Sequence, residues 1–147
     1  MQITPFFAKF NAPITPTVDI VTKKQLNVLI QLAHADKHFA IEERDMIYKI
    51  SREREFPEEI VTALIRQPEP IGSLAIMTDS QKIHHLLDCV ELIFVDQRVF
   101  ESEVIFARGI AMRLGFKKEA VDFLIQNHKN YPKDELITKV VGTYSSN

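Results

Sequence analysis

Apolar residues recur at three- and four-residue intervals over most of the chain. From Thr22, Leu26, Leu29, Ile30, Leu32 and Ala33 predict an amphipathic helix to about Asp36. A second helix follows with Met46, Ile47 and Ile50 on its inner stripe. A third opens near Pro57, whose fixed φ suits a first helical position, and carries Ile60, Val61, Leu64 and Ile65. Pro68, Pro70 and Gly72 then break the chain, and a short apolar segment, Ile71 to Met77, leads to Thr78-Asp79-Ser80-Gln81. That run matches a capping box and predicts a long helix to about Asp96. Further helices are expected over Ser102–Leu114, stopped by a left-handed Gly115, over Lys117–Gln126, and from Pro132 with Leu136, Ile137, Val140 and Val141 on one face. No segment between Val21 and Gly142 alternates as a strand would, so the fold class expected is all-α, one domain of about seven to eight helices.

The first nineteen residues break this pattern. Pro5, Pro13 and Pro16 interrupt Phe6, Phe7 and Phe10, which predicts an extended arm rather than a helix. The arm either folds over the chain's own core or serves as a docking segment for a protein partner or a second copy in a homodimer. The expected division is therefore an arm over residues 1–19 and a helical domain over 20–147.

Charge narrows the function classes. Eighteen basic side chains against twenty acidic ones give a net charge of −2, so no basic field exists to attract nucleic acid. No run approaches the roughly 20 apolar residues of a membrane span, and the N-terminus lacks a signal-peptide pattern, so the expectation is a cytoplasmic protein without membrane insertion. Cys89, the only cysteine, lies in an apolar helical run and reads as inert core.

Shifting the chain by 60 residues aligns Leu32–Arg66 with Leu92–Gln126 without a gap, and nine of the 35 positions are identical. Ordinary residue usage would give roughly two or three. Most of the nine are apolar and reflect shared packing; Asp36/Asp96 and Glu43/Glu103 are different in kind. The expected repeats span 22–66 and 80–126.

The first copy reads Ala35-Asp36-Lys37-His38-Phe39-Ala40-Ile41-Glu42-Glu43, and the second Val95-Asp96-Gln97-Arg98-Val99-Phe100-Glu101-Ser102-Glu103. Leu114-Gly115-Phe116 follows the second. Over about residues 22 to 126 the chain resembles the TerB-like family of tellurite-resistance helical domains, whose halves carry Ala-Asp-Gly, an aliphatic residue and then Glu. Lys37 and Gln97 stand where that pattern has glycine. The resemblance implies a non-enzymatic binding or scaffold domain in a stress-response setting, with metal binding by the paired acids.

The placement of these acids on the helical wheel supports two accounts. Asp36 and Asp96 end apolar rows and Glu43 and Glu103 begin them, so all four carboxylates should be partly desolvated. In the first account they serve structure, the Glu capping a helix start and the Asp accepting amides of its own loop. In the second, Asp36, Glu43, Asp96 and Glu103 hold a hard divalent cation such as calcium. Histidines offer a third possibility: His34/His38 and His84/Asp88 each stand four residues apart and could serve a small metal-dependent enzyme, although neither pair comes with a nucleophile and an oxyanion donor.

Overall fold

The computed structural model describes residues 19–146. The arm expected over 1–19, with Phe6, Phe7 and Phe10, lies outside the described residues except for Asp19, as does Asn147. Among the described residues seven helices follow one another: α1 Ile20–His34, α2 Ile41–Glu53, α3 Glu58–Arg66, α4 Asp79–Phe94, α5 Glu101–Arg113, α6 Glu119–Asn127 and α7 Lys133–Tyr144. Among the described residues the only strand-like contact is an isolated bridge between Phe116 and Ser145. The all-α expectation is met, and no described helix is long and apolar enough to cross a membrane.

Helix boundaries follow local chemistry. Asp19 accepts the amides of Val21 (3.0 Å) and Thr22 (3.3 Å), so α1 opens two residues before the expected Thr22. Thr78 and Gln81 form the capping box of α4 as its sequence dictates, with the Gln81 amide donating to the Thr78 hydroxyl at 3.1 Å and the Thr78 amide donating to the Gln81 side chain at 2.8 Å. Pro57 and Pro132 sit one step earlier than expected, as extended caps before α3 and α7 rather than inside the first turn. Ile71–Met77 forms no helix, yet Leu74 and Met77 are buried in the core.

α2 and α5 stop alike. Glu55 (φ 54°) and Gly115 (φ 93°) are both left-handed. The amides of Phe56 and Phe116 donate across six residues to Ser51 and Ala111, each at 2.9 Å, while those of Glu55 and Gly115 reach Arg52 and Met112. This double bond is the Schellman motif, and the buried rings of Phe56 and Phe116 supply its apolar contact.

One apolar cluster joins all seven helices. Leu26, Leu29, Ile30 and Leu32 of α1 and Leu86, Leu92 and Ile93 of α4 are wholly buried and form its middle, because α1 and α4 are the helices covered on most sides. α1 packs on α2, α3, α4 and α5, and α4 packs on α1, α5, α6 and α7. Cys89 is a free, fully buried thiol, and burial pushes its ionisation well above the ordinary range.

Candidate functional site

The two loops that enter α2 and α5 are built alike. The Asp36 carboxylate accepts the amide of His38 at 2.9 Å, and Asp96 accepts that of Arg98 at 3.1 Å. Between acceptor and donor, Lys37 (φ 63°) and Gln97 (φ 65°) turn left-handed, a conformation that costs about 1 kcal/mol for a residue with a Cβ. The turn that glycine would make without strain is therefore kept by local hydrogen bonding.

Each loop ends at a helix whose third residue is a glutamate. Glu43 accepts the amide of Ala40 at 2.9 Å, and Glu103 accepts that of Phe100 at 3.4 Å. Ala40 and Phe100 have no side-chain oxygen, so this is half of a capping box. Both glutamates are only 1% exposed.

Sequence reasoning placed Asp36/Glu43 and Asp96/Glu103 in two separate loops. The structure brings the buried carboxyl groups of Glu43 and Glu103 together in the interior, near enough for each to perturb the ionisation of the other. Glu43 Oε2 is buried without a hydrogen-bond partner, and the neighbouring Glu103 carboxyl, when protonated, is the group able to donate to it. Burial pushes both carboxyls up, Glu103 to about 9; the hydrogen bond and the charge of Glu43 add to that rise, and Asp36 raises both. Asp96 further raises Glu43. At neutral pH the pair thus holds one proton, since two adjacent buried carboxylates cannot both ionise. Among the described residues, no three His, Cys, Asp or Glu side chains gather closely enough to hold a metal ion. The site is a two-carboxyl centre with two more acids acting on it through space.

The histidines lie elsewhere. His34 and His38 are exposed, and the His34 ring lies 4.7 Å from that of Phe39 in a tilted contact. His84 and Asp88, the second histidine-bearing candidate pair, have separate partners: His84 Nδ1 lies 2.8 Å from the Ser80 carbonyl oxygen, and Asp88 is 3.0 Å from Arg54. Arg54, in a run of alternating charge at the end of α2, reaches across to both Gln25 of α1 and Asp88 of α4. Its guanidinium charge opposes the rise that burial imposes on the Asp88 carboxyl.

His85 was missed. It is 1% exposed, neither ring nitrogen has a hydrogen-bond partner, and burial depresses its pKa to about 3, helped by Arg54. The signal was present, since His85 shares the row of Cys89 and Leu92, but the neighbouring His84 with its acidic i+4 partner drew the reading to the polar face.

Comparison with protein-family models, with curated proteins and with solved structures returns no match.

Proposed function

We propose that this chain is a non-enzymatic, TerB-like binding and scaffold domain of two pseudo-two-fold repeats, 22–66 and 80–126, whose Glu43–Glu103 centre exchanges its shared proton for a divalent cation. The observation that carries this reading is the meeting of the two glutamates, one oxygen of Glu43 having no donor but the neighbouring carboxyl. The repeat is supported by the left-handed pairs Lys37/Gln97 and Glu55/Gly115 and by the like bonding of each loop. The stress-response and tellurite-resistance setting rests on the loop resemblance alone.

A proton and a hard cation satisfy the same need in different ways. Each relieves the repulsion between the carboxylates; because among the described residues no third acid lies near enough to join the two glutamates, a cation such as calcium would complete its oxygen shell with water or backbone carbonyls, while the charges of Asp36 and Asp96 favour it from a distance. Because the ion must displace a proton, its affinity should rise about tenfold per pH unit below the raised pKa. Cation binding to the folded state alone, at 100 times the dissociation constant, stabilises by about 2.7 kcal/mol.

Melting curves with and without calcium, magnesium or manganese, at about pH 6 and about pH 8, test the proposal. The expected result is a rise in melting temperature that is larger at the higher pH and absent in Glu43→Gln and Glu103→Gln. If no ion moves the melting temperature at either pH, the centre holds only a proton, and the domain works by partner binding without a cation.

A further inference from the structure

The outer faces of α2 and α5 differ although their inner faces match. On α5, Val104, Ala107, Ile110 and Ala111 are buried, and the helix packs on α1, α4 and α6. The side opposite Ala107 carries Glu101, Ile105, Gly109 and Met112, with Ile105 56% and Met112 54% exposed. At the 60-residue offset the same positions of α2 hold Ile41, Asp45, Lys49 and Arg52. The middle of that face is charged on α2 and uncharged on α5, so the shared packing scheme does not account for Ile105, Gly109 and Met112.

Gly109 sharpens the contrast. Glycine is among the poorest residues for the middle of a helix. A Cβ at Gly109 would meet no described atom within 4 Å, and its backbone is helical, so neither packing within the chain nor conformation calls for glycine there. On an exposed helix face the missing side chain leaves a notch, over which a second helix can approach closely.

We propose that this face of α5 pairs, antiparallel, with the same face of a second copy of the chain. The inference is independent of the glutamate centre. Self-pairing requires a face that complements itself about a two-fold axis. Ala107 is the middle residue of the 13-residue helix Glu101–Arg113. Ile105 and Gly109 lie equally far on either side of its level, so the two-fold sets the Ile105 of each copy over the notch at Gly109 of the other. Glu101 and Arg113, both exposed, also lie equally far on either side, and the same rotation brings them level. Among the described residues neither has an ion-pair partner, whereas Arg108 at the edge of the face is already held by Asp122 at 2.7 Å. Antiparallel pairing thus matches unlike charges and opposes the helix dipoles, while parallel pairing would set like charge beside like. One helix about 20 Å long from each copy makes an interface at the small end of the range, so the dimer is weak and reversible.

Sedimentation equilibrium of the full chain from about 5 to about 500 µM tests the proposal. The average mass should climb toward that of two chains. Gly109→Gln fills the notch without touching the chain's own packing, so it should weaken association about tenfold or more while the melting temperature does not fall. Ile105→Ser, which removes the knob from an exposed position, should weaken it as well. Glu101→Lys should do the same by setting two cations level, and Lys49→Gln on the outer face of α2 should change nothing. A chain that stays monomeric at about 500 µM overturns the proposal, and the face then fits a different protein. Association that survives both Gly109→Gln and Ile105→Ser also overturns it, because the dimer then uses another surface. An affinity unchanged in Glu101→Lys overturns the antiparallel pairing.

Discussion

The buried carboxyl pair and the buried imidazole together dictate an unusual stability profile against pH. Glu103, and Glu43 with it, binds its proton more tightly in the folded state than at the unfolded value near 4.5. Between about 4.5 and 9 the folded chain therefore carries one more proton than the unfolded chain, and stability falls by about 1.4 kcal/mol per pH unit. His85 acts oppositely. Its folded pKa lies near 3 against 6.5 unfolded, so the folded chain carries one fewer proton in that window and stability rises with pH until about 6.5. The two slopes offset each other between about 4.5 and 6.5, and above 6.5 only the fall remains. The raised Asp88 carboxyl adds to the fall at the acid end. From pH 6.5 to pH 8 the loss should reach about 2 kcal/mol, or roughly 4–8 °C in melting temperature for a chain of this length. Urea unfolding at half-unit pH steps measures it. In Glu103→Gln the amide donates to the Glu43 carboxylate, so the alkaline fall should disappear and the variant should match or exceed the parent at pH 8. A parent profile that is flat from pH 6.5 to 8, or an alkaline fall that persists in Glu103→Gln, refutes the shared proton.

Two further predictions concern backbone and charge. Lys37→Gly and Gln97→Gly should each raise stability by about 0.5–1 kcal/mol in chemical denaturation, because the left-handed turn is strained for any residue with a Cβ and the bond from Asp to the following amide is untouched; destabilisation in both would show that the lysine and glutamine side chains do more than permit the turn. Arg54→Met should cost about 2 kcal/mol by leaving Asp88 desolvated without its cation, and Asp88→Asn should recover part of that loss; additive effects would show that the pair is not coupled.

Helix order was legible in the sequence because each helix carries its own signals. Thr78 to Gln81 dictates where α4 starts by bonds among four residues, and Gly115 dictates where α5 stops. The left-handed Glu55 was also readable, but only through its counterpart, since the Schellman bonds and the Phe56 contact hold a conformation that glutamate alone would avoid. Legibility failed where a side chain's partner is distant in sequence. Arg54 lies in a run of alternating charge that looks solvated, and its bonds to Gln25 and Asp88 span 29 and 34 residues. The joining of Glu43 to Glu103 is the same kind of failure. Periodicity placed each glutamate at the start of an apolar row and so foretold its burial, but which residue it would meet depends on how α2 and α5 are brought together around α1 and α4.

Burial without a cationic partner makes the glutamate pair costly, and that cost bears on its role. A helix start needs one acceptor for one free amide, and a serine or threonine at Ala40 and Phe100 would supply it at the surface without taking a carboxyl into the core. Capping therefore accounts for one oxygen of each glutamate and leaves the meeting of the two carboxyls in the core unexplained. A well-packed apolar pair of similar volume could fill the same space at no proton cost, so the centre yields stability that varies with whatever protonates or coordinates it. Proton, cation and amide substitution are then three ways of relieving one repulsion, and they should not add. Calcium at about pH 8 should raise the melting temperature of the parent chain toward that of Glu103→Gln and leave Glu103→Gln itself unmoved. If parent and variant instead respond to the ion equally, the ion acts at another site, and the glutamate pair answers to protons alone.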